Sequence, residues 1–213
     1  MDTKVFRDIT YGMYIVTTKF NDINAGCIIN TLSQVTSTPH IISINLNKNN
    51  YTNEIIKKSK RFNVSIISEQ IDKDIISLFG YKSSKEVNKF EVEHTEFEGI
   101  KTIENGITSV LNCEVINIVD TQTHDIIIAK VINTKKISEE TPMTYKYYHE
   151  VLKGTSPKNA PTFINEVKKG EYRCPICGYI YSNEKESIKF EDLDEDYKCP
   201  LCKAPKNLFE EIK

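Results

Sequence analysis

Cys174-Pro175-Ile176-Cys177-Gly178-Tyr179 opens the last forty residues of this chain, and Cys199-Pro200-Leu201-Cys202 closes the ligand-bearing part of that stretch. Two residues between cysteines let one tight turn aim both sulfurs at a common point. Two such pairs therefore bring four thiolates together, and a tetrahedral four-sulfur site takes zinc or iron. Four of the six cysteines lie here, so Cys174, Cys177, Cys199 and Cys202 are read as metal ligands. No N-terminal stretch has the charge and apolar run of an export signal, and none is long enough to span a membrane. That places the chain in the cytoplasm, where paired Cys-x-x-Cys motifs mean metal before disulfide.

Working outward, Tyr172, Tyr179, Tyr181, Phe190, Tyr197 and Phe209 surround the ligands. Six aromatics make a larger core than a structural zinc ribbon needs. Gly178 follows the second cysteine, where a positive φ lets backbone N–H groups turn toward sulfur and favour the more negative reduced site. The tail from residue 169 holds 8 basic and 10 acidic residues, which accounts for the whole net charge of −2. Its acidic run, Glu191-Asp192-Leu193-Asp194-Glu195-Asp196, is either a solvated turn or a docking face for a basic partner. With no basic field anywhere, nucleic acid is not an expected partner.

At 213 residues, 39% hydrophobic and 27% charged, the chain fits one ordinary domain plus a small one. Tyr11 to Thr18 is β-branched and aromatic, a strand; Asn21 to Asn24 turns, and Ala25 to Leu32 returns. Ser33 to Thr38 reads as a polar loop ended by Pro39, and Ile41 to Asn47 alternates as a third strand. Thr52 is expected to cap a short helix over 54–60, and Asp72 to cap another reaching Gly80. Arg61 to Ser68, Thr108 to Asp120 and Thr123 to Thr134 complete about six strands, with 83–99 irregular and a closing helix near 144–152. Short turns between strands favour an antiparallel barrel over a doubly wound sheet. Expected boundaries are a barrel over 1–152, a linker or lid over 153–168 and a metal domain over 169–213. Cys27 and Cys113 fall within strands, as small buried hydrophobes.

Tyr172-x-Cys174-Pro175-x-Cys177-Gly178-Tyr179-x-Tyr181, Phe190-x-x-Leu193 and Tyr197-x-Cys199-Pro200-x-Cys202-x-x-x-Lys206-x-x-Phe209 resemble rubredoxin. The resemblance implies one iron held by four cysteines and passing one electron at a time, with zinc able to occupy the same thiolates. Upstream, no Gly-x-Gly-x-x-Gly or P-loop occurs. Instead Tyr11-Gly12-x-Tyr14-Ile15-Val16, Asn30-Thr31-x-x-Gln34-Val35-Thr36-Ser37-x-Pro39 and Asn47-Lys48-x-Asn50-Tyr51-Thr52 resemble, in order, the flavin reductase-like split barrels. Lys85-x-x-x-Lys89-Phe90, Thr123-His124-Asp125-x-x-Ile128-Ala129-x-Val131 and Gly154-x-x-Pro157-x-x-Ala160-Pro161-Thr162 extend the match.

That family implies a mainly β fold, a split β-barrel with a few helices, binding FMN as a homodimer. The residues carried over as FMN contacts are Asn30, Thr31, Leu32, Gln34, Thr36, Ser37, Asn47, Lys48, Tyr51, Thr52, Lys85 and Lys89. The residue chemistry agrees: hydroxyls, amides and free N–H groups suit phosphate and the flavin's pyrimidine edge, and Lys48 and Thr52 stand at a helix start. His124 is the candidate for orienting a nicotinamide substrate. An FMN barrel joined to a rubredoxin converts two-electron donors into one-electron donors. The expected route runs from NAD(P)H to FMN, to iron, and on to an external redox protein. The arrangement resembles the high-molecular-weight rubredoxin group, which implies a flavodiiron oxygen or nitric oxide reductase as acceptor. The alternatives are a non-catalytic carrier reduced by another protein, and a flavin-binding protein with a structural zinc ribbon.

Overall fold

The computed structural model describes residues 3–152, 154, 156–157, 160–162 and 170–212. Contacts divide the chain into two compact units, Thr10–Tyr147 and a second made of Met1–Ile9 with Tyr148–Lys213. Much of the expected linker at 153–168 lies outside the described residues.

The first unit is built on a seven-stranded antiparallel sheet. In chain order its strands are β1 (Tyr14–Phe20), β2 (Ile23–Ile29), β3 (Leu32–Ser37), β4 (His40–Asn47), β5 (Arg61–Ile67), β8 (Ile107–Thr121) and β9 (His124–Lys136), arranged 2-1-5-8-9-4-3. The short strands β6 (Thr95–Phe97) and β7 (Ile100–Thr102) form a separate hairpin, and the helices are α1 (Tyr51–Ser59), α2 (Lys73–Tyr81) and α3 (Tyr145–Glu150). The polar segment from Ser33, expected as a loop, is the edge strand β3, paired with β4. Its side chains are exposed from Ser33 onward, so it carries no buried alternation for the sequence to display. Helix α1 begins earlier than expected, and its cap is Asn50, whose Oδ1 accepts from the Thr52 N–H at 2.9 Å. Asp72 caps α2 as expected, accepting from Asp74 N at 2.8 Å.

Strand order forces closure. In a flat sheet the outer strands β2 and β3 would stand roughly 29 Å apart, six spacings of about 4.8 Å. Yet only Asn30 and Thr31 join them, a link that reaches about 11 Å at most. The sheet therefore curls so that the chain passes from β2 directly into β3, whose ladder with β4 begins at the crossing: Asn45 N donates to Thr31 O and Thr31 Oγ1 to Asn45 O, both at 3.2 Å. Val16, Cys27, Ile29, Ile42, Ile44, Leu46, Ile56, Phe62, Val64, Cys113, Ile127 and Ala129 fill the interior. Cys27 and Cys113 sit in this core, as their strand positions implied, and burial pushes the Cys113 thiol up to about 12.

A second apolar layer covers part of the outer face. Helix α2 lies against β2 at Gly26, where a Cβ would come within 2.8 Å of the Phe79 ring. The β6–β7 hairpin is tied down by buried amides: Asn63 Nδ2 donates to Phe97 O and Thr102 Oγ1 at 2.8 and 2.9 Å, and Asn112 Nδ2 to Asn63 Oδ1 at 2.7 Å.

Strand β2 ends the ladder, and an open edge needs partners. Gly26 N and O both meet the Ser84 hydroxyl at 3.0 Å, and Gly26 O also accepts from Lys89 Nζ at 2.8 Å. Lys89 is 1% exposed; its Nζ also donates to Phe79 O at 3.1 Å and lies 5.4 Å from the Phe79 ring centre. Burial lowers this ammonium to about 8, against an opposing pull from Cys27. A neutral amine keeps two N–H donors, enough for both carbonyls.

Between pH 8 and about 10.5 the unfolded chain holds a proton that the folded chain has released, so folding gains stability as pH rises, by up to about 3 kcal/mol. We predict that the thermal midpoint of the wild-type barrel rises relative to Lys89→Met between pH 8 and 10. Parallel pH profiles of the two proteins would contradict this reading of Lys89.

Candidate functional site

The second unit holds a small sheet in the order β11 (Ile180–Tyr181), β10 (Tyr172–Arg173), β12 (Glu210–Glu211). Phe190 is its apolar centre: Tyr172 stacks on it at 4.1 Å, and Tyr181, Tyr197 and Phe209 ring it at 5.4, 6.2 and 5.1 Å. Two matching knuckles stand beside this core. Cys174 N donates to Tyr179 O and Gly178 N to Cys174 O, at 2.8 and 2.9 Å. Cys199 N and Lys203 N repeat the pattern to Ala204 O and Cys199 O at the same two distances.

The turn needs a left-handed residue in each knuckle, and Gly178 and Lys203 have φ of 82° and 61°. Glycine adopts this freely, whereas lysine does so at some steric cost. With the chain so turned, the N–H groups of Cys177, Tyr179, Cys202 and Ala204 bond the sulfurs of Cys174, Cys177, Cys199 and Cys202 in turn. Gly178 thus works by aiming the next N–H at sulfur.

The four Sγ atoms are buried and lie within 4.8 Å of one another. Cys174 and Cys202, and Cys177 and Cys199, approach to 3.5 Å. A tetrahedron with bonds of about 2.3 Å has edges of about 3.8 Å, so the cluster has the dimensions of a single-metal site. Hydrogen bonds among the thiols, from Cys177 first, push Cys174 down, and those from Cys174 first push Cys177 up. Such a cluster sheds protons together when a cation enters.

In the barrel, the expected cofactor residues fall into two sets. Asn30 and Thr31 occupy the seam, beside Asn45. Asn47 faces His124 across β4 and β9, and Lys48 N donates to Thr123 O at 3.0 Å. Tyr51 and Thr52 open α1, and the Cys27 thiol on β2 meets the side chains of Thr52 and Asn50. Lys85 lies within electrostatic reach of Glu54 in the first turn of α1, while Lys89 is in the support beneath. These residues gather around one rim of the barrel. Leu32, Gln34, Thr36 and Ser37 instead run along β3 and away from Asn47, opposite Ile44, Ile42, Ile41 and His40. Gln34 Nε2 bonds Thr36 O, and Thr36 Oγ1 bonds Pro39 O, within the β3–β4 turn.

His124 opens β9, its Nδ1 at 2.9 Å from Thr123 Oγ1. Its Nε2 is buried with no hydrogen-bond partner among the described residues. Two carboxylates unforeseen as site residues flank it. Asp120 pairs with Lys48. Asp125 is buried and accepts from Asn53 Nδ2 at 2.7 Å and Lys57 Nζ at 2.5 Å. Burial works to raise Asp125, but Lys57 and Asn53 hold it below the usual carboxylate range. The signal was present: Asp125 shares the inward register of Ile127 and Ala129, and an inward acid calls for a cationic partner.

Thiol chemistry checks the separation of the six cysteines. We predict that removing bound metal with a chelator exposes four thiols to a chromogenic reagent, with Cys27 and Cys113 reacting only after denaturant. Six thiols reacting together before denaturation would contradict the burial of Cys27 and Cys113.

Residues 6–156 match the model of the flavin reductase like domain, and residues 171–209 match that of rubredoxin. The chain is 35% identical to a high molecular weight rubredoxin of Moorella thermoacetica over the whole of both chains. It is 33% identical to a ferric-chelate reductase (NAD(P)H) of Archaeoglobus fulgidus, spanning 77% of this chain and 98% of that protein. Among solved structures, the NADH:FAD oxidoreductase SgcE6 of Streptomyces globisporus shares the barrel fold at 21% identity and a TM-score of 0.60, over 66% of this chain and 83% of that one. An FMN-binding protein from Thermus thermophilus does so at 18% and 0.56, over 60% and 71%. No helix among the described residues is long and apolar enough to cross a membrane. The chain belongs to the flavin reductase-like family and carries a rubredoxin domain at its C-terminal end.

Proposed function

We propose that this protein is an NAD(P)H oxidoreductase that passes electrons by way of bound FMN to iron held by Cys174, Cys177, Cys199 and Cys202, and on to an external acceptor. The observation that carries the reading is the joining of a flavin reductase-like barrel to four buried thiolates within 4.8 Å of one another. Bound flavin accepts electrons in pairs and releases them singly, which suits a metal that takes one at a time.

The chain's own residues divide the work. Lys48 offers charge just ahead of α1, where the helix dipole favours a phosphate, and Thr52 stands in the first turn of that helix. Asn30, Thr31 and Asn47 supply amide and hydroxyl groups around the same rim, and Tyr51 an aromatic face. Lys85 adds positive charge, and Lys89 holds the 83–90 segment that bears it. His124 is the residue that orients the nicotinamide in this reading, with its Nε2 unpartnered among the described residues and Thr123 fixing the ring through Nδ1.

Leu32, Gln34, Thr36 and Ser37 fit this site as the contribution of an exposed strand, in a homodimer, to the rim of the second copy. Val35 and Val119, both well exposed, suit such an interface. The boundaries we propose remain a barrel over 1–152, a linker over 153–168 and a rubredoxin domain from 169. The acceptor in this reading is a flavodiiron oxygen or nitric oxide reductase, docking at the acidic run 191–196.

The test is kinetic. In stopped-flow absorbance under anaerobic conditions, protein stripped of flavin loses reduction of the iron by NADH or NADPH, and added FMN restores it. Undiminished iron reduction without flavin would overturn the route.

A further inference from the structure

The lysine assigned to the phosphate is already engaged. Lys48 lies between Asn47 at the end of β4 and Asn50, the cap of α1. Its backbone N–H is fixed to Thr123 O at 3.0 Å, which holds it against the β8–β9 turn. Its Nζ pairs with Oδ2 of Asp120 on β8, and the other oxygen of that carboxylate accepts from Gln122 N at 3.2 Å. The neighbouring ion pair behaves differently. Asp125 is buried and doubly bonded by Lys57 and Asn53, a pair that is costly to open. The Asp120 side chain is 73% exposed, and an ion pair at such a surface is cheap to open.

We propose that Asp120 is a built-in competitor for the cofactor's phosphate, holding Lys48 in the flavin-free protein and yielding it when phosphate arrives. The proposal rests on the reading of this rim as the FMN site. The exchange is one of charge alone. A phosphate monoester carries about −1.5 to −2 at neutral pH against −1 for the carboxylate, and it also meets the positive end of the α1 dipole. Phosphate therefore wins, but with an affinity reduced by the pair it displaces. A flavin without phosphate leaves the pair intact and feels no competition. Asp120 in this way loosens the hold on FMN and leaves the hold on the ring unchanged.

The experiment is equilibrium titration of the full-length protein, freed of flavin, with FMN and separately with riboflavin, followed by quenching of flavin fluorescence. Asp120→Asn tightens FMN binding by up to about fivefold, the reach of an exposed ion pair, and leaves riboflavin binding unchanged. In a Lys48→Gln background the same substitution has no effect on FMN. Unchanged FMN affinity, equal changes for both flavins, or an effect that persists without Lys48 would each overturn the role of Asp120 alone. Failure of the wild-type protein to take up either flavin would overturn the flavin site itself, and this proposal with it.

Discussion

Two residues, Asn30 and Thr31, carry the chain from one edge of a seven-stranded sheet to the other. So short a link leaves the sheet no option but to close, because a flat arrangement would need nearly three times its reach. Closure creates the apolar interior between β1, β2, β4, β5, β8 and β9. It also brings the crossing beside Asn45, two residues before Asn47 and just ahead of α1. The hydrogen-bonding side chains at the seam and those at the start of the helix thus share one rim.

The charges around the rim are graded by burial. Lys89 is fully inside, closes the exposed edge of β2 and is poised near neutrality. Asp125 is inside as well but keeps its charge, because Lys57 and Asn53 meet it. Lys48 and Asp120 pair at the surface, where exchange is easy. The metal unit follows a different economy of scale: an aromatic cluster around Phe190 substitutes for a large core, and two repeated turns point N–H groups at four sulfurs. A small domain of this kind draws much of its folding energy from the bound cation.

What could be read from the sequence was what depends on local spacing. The four ligands, the turn at Gly178, the capping by Asp72 and the alternation of Ile41 to Asn47 each need only a few neighbouring residues. Strand β3 was hidden because an edge strand exposed to solvent has no buried period, and Ser33, Gln34 and Thr36 have the composition of a loop. Asn50 was passed over for Thr52 because both are capping residues and only the backbone decides which of them accepts. The place of Lys89 was not legible at all. Nothing in its neighbourhood shows that Gly26, sixty-three residues earlier, would lie on an open edge and need a donor. The pairing of Lys48 with Asp120 is likewise a product of barrel register, which joins residues seventy-two apart.

A chain that moves electrons from a nicotinamide through flavin to a four-thiolate iron, as proposed for this protein, takes up an odd number of electrons. Flavin takes two electrons and the iron one, while each NAD(P)H supplies two. Anaerobic titration with NADH and with NADPH, following the flavin and iron absorbance together, tests it most directly. Complete bleaching of both bands at about 1.5 equivalents per chain with one of the two donors is the predicted result. Bleaching that stops at the flavin with the iron band intact, or no bleaching with either donor, would rule out this electron route.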